Sequence, residues 1–243
     1  MNNASSFRTS PPPVTDFPLL TLPPAKTHEL SNGVSVACLN SKLQPVVKVT
    51  LIYAGGLAEC SDPYSLSLIG EALAEGSSKM SGEEFSDLLD YHGAWFNVKA
   101  QGHFTVVTLH ALTENFCTVL DAVTDIINHP TFPEAEINNI IKRKTAAAKI
   151  NSEKVAVIAR RQINRMLFSD THFMSVDLDE PEELALITPE RLKKVWTEIF
   201  LNRQPRIYLS GYVDKILSDI EQEFSKASPK SLMPSNIFRL IRR

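Results

Sequence analysis

The chain has 243 residues, 43% of them hydrophobic, enough for a sizeable core and too apolar for wholesale disorder. Its 25 basic and 28 acidic side chains give a formal net charge of −3 with the signs interspersed, so no basic stripe marks a nucleic-acid partner. Three cysteines, Cys38, Cys60 and Cys117, lie far apart without a CxxC pair; they indicate neither a disulfide framework nor a thiolate zinc site and read as small buried hydrophobes.

Residues 1–26 hold six of the fifteen prolines and few groups that could pack, as in an extended, partly polyproline arm. They lack a charged stretch followed by an apolar one, so no secretory signal is expected, and no apolar run approaches the ~18 residues of a membrane span. A soluble protein of the cytoplasm or periplasm is the expectation. Residues 28–38, HELSNGVSVAC, read as two extended runs hinged at Asn32-Gly33. VVKVTLIYA, residues 46–54, is β-branched and apolar on both faces, which predicts a strand covered on both sides, or by helices on one and a partner on the other.

Residues 66–81, LSLIGEALAEGSSKMS, carry apolar side chains at helical steps: Leu66, Ile69, Ala72 and Leu73. Asp62-Pro63 supplies a capping side chain and a first-turn proline, and Gly76 a stop. Ser81 with Glu84 forms a capping box for a second helix that ends at Gly93. Strands are predicted over 95–100 and 104–112, joined by Gln101-Gly102-His103. Helices follow over 114–129, stopped by Pro130, and over 133–150, basic in its second half. A further helix is capped by Asn151 or Ser152, with Val155, Ile158, Ile163, Met166 and Leu167 expected on its core face. Residues 169–187 read as a loop whose acidic run, DLDEPEE, is a solvated surface. Thr188-Pro189-Glu190 caps the last large helix, to about residue 200; a strand over 206–210 and a helix over 213–226 complete the unit. The tail, KASPKSLMPSNIFRLIRR, reads as a linker. The segregation of strands and helices predicts an α+β fold: a mostly antiparallel sheet with helices packed mainly on one face.

The words LSNGVSV, YAGGLAE, LAEGSSKMSGEEF, YHGAWFN, FPEAEI and ITPERLKKVW, in this order of elements, resemble one homology domain of the insulinase and mitochondrial processing peptidase family, the inverted zincins. The resemblance runs from about residue 28 to 224 and implies a processing-peptidase-like half-clamshell over 27–226. It makes 227–243 a linker toward a second domain. In that family a helix carries H-x-x-E-H, two zinc-binding histidines with the general-base glutamate between them, and a later helix adds a third, carboxylate ligand.

Aligned through GSSKMS, the histidine positions fall on Ser67 and Glu71 and the glutamate position on Gly70. A hydroxyl is a poor zinc ligand, a lone carboxylate prefers hard cations, and glycine cannot accept a proton. No acidic residue occurs over 137–152, where the third ligand would lie; lysines, an arginine and Ala146-Ala147-Ala148 stand there instead. His103 and His110 point to opposite faces, and His28, His92, His129 and His172 stand singly, so no substitute histidine site is expected. INSEKVAVIARR and YHGAWFN further resemble members that keep the fold and lose the zinc motif.

The resemblance therefore implies a zinc-free, non-catalytic half or partner subunit with no cofactor of its own, zinc being expected only in a partner chain. Its partners would be a second homology domain, a catalytic zinc-binding member of the family, or both. Peptides would add to an edge strand at Asn97, Val98, Lys99 and Ala100. A purely structural scaffold is the alternative reading, and an active zinc peptidase with an unusual site a third.

Overall fold

The computed structural model describes residues 23–168, 178, 180–214 and 216–225. Six strands make one sheet: β1 (Lys26–Glu29), β2 (Ser35–Asn40), β3 (Val46–Ala54), β4 (Trp95–Ala100), β5 (Phe104–Leu112) and β6 (Arg206–Gly211). Their spatial order is β1-β2-β6-β3-β5-β4. Every neighbouring pair is antiparallel except β2 with β6, which run parallel, so the mostly antiparallel expectation holds for a sheet that is strictly mixed. That one parallel contact needs a long crossover, and every element from β3 to α7 lies within it.

The helices are α1 (Pro63–Ala74), α2 (Gly82–Tyr91), α3 (Phe116–Asn128), α4 (Glu134–Ser152), α5 (Val155–Phe168), α6 (Pro181–Leu184), α7 (Pro189–Trp196) and α8 (Leu217–Ser225). α7 continues into a wider π turn over Thr197–Leu201. Alternation along the strands decides where the core lies. Val47, Val49, Leu51 and Tyr53 of β3, Val107 and Leu109 of β5, and Ile207 and Leu209 of β6 are buried. Their sequence neighbours, such as Lys48, Ile52, Val106 and Arg206, lie half-buried or exposed on the opposite face. Helices thus cover one face of the sheet, and the apolar residues on the other face are only partly covered within the described residues.

α1 forms the centre of the helical layer. Its Leu66, Ile69, Ala72 and Leu73 are wholly buried, each large side chain contributing about 2 kcal/mol of transfer free energy. α1 packs against α7 and the backbone of β4. The capping box of α2 is formed, with Ser81 accepting from the Glu84 amide and Glu84 accepting from the Ser81 amide.

Four expectations are corrected. The apolar residues Val155, Ile158, Ile163, Met166 and Leu167 of α5 are exposed rather than a core face, because what cover the helix has falls on its other side, at Val157, Arg161 and Asn164, and is only partial. Of the cysteines only Cys38 is buried; Cys60 is half-buried and Cys117 exposed, its thiol donating to Asp219 at 3.1 Å. The stretch predicted as one loop over 169–187 contains the short helix α6, started by Pro181. The last helix also begins later than expected, at Leu217. The arm over 1–22, the tail over 226–243 and His172 lie outside the described residues.

Candidate functional site

α1 begins where Asp62 accepts hydrogen bonds from the Ser65 amide (3.1 Å) and the Ser65 hydroxyl (2.7 Å). The same carboxylate receives the Arg191 Nε of α7 at 2.6 Å, so one side chain both caps α1 and ties it to its neighbour. Burial works to raise the Asp62 carboxyl, but the Arg191 guanidinium and the Ser65 donors outweigh it and hold it below the usual carboxylate range.

One turn into the helix, Ser67 is exposed and its hydroxyl is engaged by its own helix, donating to the Tyr64 carbonyl at 2.7 Å. One turn further, Glu71 faces α4. Arg143 reaches it at 2.7 Å, and the Lys144 ammonium pairs with its other carboxylate oxygen. Burial acts to raise the Glu71 carboxyl, and the Lys144 and Arg143 hydrogen bonds and charges more than reverse it, leaving the group lowered. The carboxylate is anionic at neutral pH and clamped by two cations. Glu71 and the α4 cations are 72 and 73 positions apart, and the ion pair draws together the two helices that carry the degenerate motif positions.

Gly70, between them, faces the strand. A Cβ there would lie 2.3 Å from the Val98 carbonyl oxygen, so only glycine lets α1 approach the β4 backbone this closely. β4 is the last strand of the sheet and pairs only with β5 among the described residues. Within it Val98 is buried, Ala100 half-buried, and Asn97 and Lys99 exposed. Ser67, Gly70, Glu71 and the strand over 97–100 are therefore brought into one neighbourhood, with Gly70 of α1 against Val98.

The turn after α1 is built around a buried carboxylate. Asp125 of α3, 3% exposed at its side chain, accepts from Ser77 Oγ at 2.5 Å, pairs with Lys79 at 3.0 Å and meets His129 Nδ1 at 3.1 Å. Burial opposes its charge, but these partners hold the carboxyl below its ordinary value. Ser77 and Lys79 belong to a stretch with a visible sequence signal, GSSKMS, whereas the partner on α3 is 48 residues away and had none. An open cavity of about 720 Å³ lies alongside, lined among others by Glu75, Ser77, Lys79, Ser81 and Glu136. Burial, reinforced by the charges of Glu136 and Glu71, raises the Glu75 carboxyl at its rim. No group of three or more metal-ligating side chains is found among the described residues. No described helix is long and apolar enough to cross a membrane.

A profile of the insulinase family (peptidase family M16) matches residues 36–175. No match is found among curated proteins. Among solved structures, the peptidase M16 inactive domain from Pseudomonas fluorescens superposes with a TM-score of 0.76 at 19% identity, over 87% of this chain and 52% of that one. The first half of the periplasmic protease PqqL from Escherichia coli gives 0.74 at 16% identity, over 87% and 48% respectively. A protease from Helicobacter pylori gives 0.74 at 12%, over 88% and 52%. The chain spans about half the length of these solved structures, and at such identities the likeness is one of fold. The helix-backed six-stranded sheet and a profile match covering more than half of the sequence place the conclusion at the level of family: the chain belongs to the insulinase family, peptidase family M16.

Proposed function

We propose that this chain is a zinc-free, non-catalytic half of an insulinase-type clamshell, contributing cleft wall and peptide binding beside a catalytic partner. The observation that carries the reading is the ion pair of Glu71 with Arg143 and Lys144. In the pattern that the sequence resembles, two imidazoles and a distal carboxylate meet at one cation. Here the corresponding helix pair offers one carboxylate that is already neutralised, beside two fixed positive charges. A divalent ion placed there would meet repulsion and no nitrogen ligand, so the residues present do not fit zinc. The Ser67 hydroxyl is directed into its own helix, and Gly70 has no side chain to move a proton.

Peptide binding remains chemically available without a metal. An extended segment adding to the outer edge of β4 would use main-chain hydrogen bonds, which depend on strand geometry and not on a Lewis acid. Neighbouring structures described as an inactive domain and as the first half of a protease support a role as one half of a larger assembly.

The test is metal analysis and peptide hydrolysis on the purified protein after equilibration with zinc, alongside anisotropy measurements with labelled extended peptides. No stoichiometric zinc, no hydrolysis and saturable peptide binding in the presence of the partner are expected. Stoichiometric zinc lost to a chelator together with hydrolysis would overturn the reading. Failure of every peptide to bind the assembled pair would favour a purely structural scaffold.

A further inference from the structure

α5 is amphipathic, yet most of its apolar residues face solvent. Val157, Arg161 and Asn164 are its half-buried positions against the body. The opposite arc, Val155, Ile158, Ala159, Ile163, Met166 and Leu167, recurs at three- and four-residue steps and faces solvent. Val155 is 80% exposed, Met166 81% and Leu167 68%. Ile150 in the last turn of α4, five residues before α5, is also 62% exposed. Ile158 and Ile163, at 43% and 56%, are partly covered, so the stripe is largely but not wholly open among the described residues, and an apolar surface of that kind suits a neighbour.

Charge and area indicate which neighbour. Residues 142–165 contain eight lysines and arginines and one acid, Glu153, and although Arg143 and Lys144 pair with Glu71 and Arg165 with Glu180, the neighbourhood of α5 keeps an excess of positive charge in a chain whose total is −3. Two copies of this surface would repel, which argues against self-pairing through α5. One side of a 14-residue helix is also smaller than the ~800 Å² per partner of a stable complex between free proteins. A tethered unit tolerates a smaller contact, because linkage raises its effective concentration to about the millimolar range. The solved structures that this fold matches are about twice the length of the chain, so in them a further unit accompanies the part superposed here.

We propose that the apolar face of α5, with Ile150, is the seat of the second homology half, which meets it with an apolar ridge flanked by carboxylates. This rests on the reading of the chain as one half of a clamshell, and adds to it which surface faces the other half.

The test uses the two-half protein in a Cys117→Ser background, with single cysteines introduced as Ile158→Cys or Met166→Cys and, as a remote exposed control, Leu43→Cys, a position 93% exposed. Maleimide labelling at 158 and 166 is expected to be at least about tenfold slower than at 43. With the second half supplied as a separate chain, Ile163→Asp is expected to raise its Kd at least about tenfold, the far-ultraviolet spectrum and melting of the variant staying unchanged. Comparable labelling at all three positions in an assembled protein overturns the docking face while leaving the half-clamshell reading intact. Failure of any second half to associate with the unmodified chain overturns both. Protection at 158 and 166 that appears only with vesicles containing 30% anionic lipid would assign α5 to a membrane surface and also overturn the proposal.

Discussion

A methyl group on Gly70 would stand 2.3 Å from the Val98 carbonyl oxygen and 3.1 Å from its carbon, and neither is the end of a flexible side chain. Either α1 or β4 would have to move, so Gly70→Ala is expected to destabilise the fold by about 1–3 kcal/mol, read as a lower urea midpoint at unchanged slope. The same contact bears on rebuilding the metal motif. A Ser67→His, Gly70→Glu, Glu71→His variant is expected to fold less well than the parent and to retain no zinc on gel filtration, since Arg143 and Lys144 remain opposite the new ligands. Glu71 itself carries a pH dependence of definite sign. Its native carboxyl lies below the ordinary value of about 4.3, so the clamp is complete above that value and is lost as pH falls through the lowered native one. Glu71→Gln is therefore expected to flatten the acid limb of stability below about pH 5, by roughly 0.5 kcal/mol because solvent screens the partly exposed groups. Asp125 is a larger case. Asp125→Ala strands the Ser77 hydroxyl and removes the buried anchor of the turn after α1, with an expected loss of about 2–3 kcal/mol in urea unfolding.

Among the elements, the buried α1 and the central strands β3 and β5 should resist amide exchange most, and α5 least, because none of the side chains described over 155–167 is buried. Exchange mass spectrometry on the single chain checks this; slow exchange throughout α5 in the absence of a partner would contradict its exposed placement. The contrast between these elements also tells what the sequence could disclose. Periodicity placed β4 and β5 at their observed bounds and found α1 with both of its ends, since caps, prolines and glycines act within a few residues. Periodicity likewise grouped Val155, Ile163 and Met166 on one side of α5, but a period says only which residues share a face and not what covers it. The absence of acids over 137–152 is plain in the letters, whereas the contact of Arg143 and Lys144 with Glu71, 72 and 73 positions away, exists only once the chain between them has folded. Cys117 departs from the buried expectation for a similar reason: a small sulfur side chain carries no pattern, and its exposure follows from where α3 presents it.

For the whole molecule, the decisive fact is the strand order. β6 lies between β2 and β3, and its residues pair on both sides: Leu209 with Cys38 on one and Val49 on the other. A chain ending before Arg206 is accordingly expected to lack cooperative unfolding and a native-like near-ultraviolet spectrum, though all the helices but α8 would still be encoded. β6 also sets a clock for synthesis. β3 ends at Ala54 and β6 at Gly211, so on a ribosome making about 5–20 residues each second the gap in the sheet stays open for roughly 10–30 s after β3 has been made. Through that interval β2 and β3 each present a strand edge that the last strand will later occupy, a period in which a nascent chain can pair with another of its kind. The vulnerable species is thus the nascent chain between completion of β3 and emergence of β6, and holdase chaperones that shield strand edges would act on it through that interval.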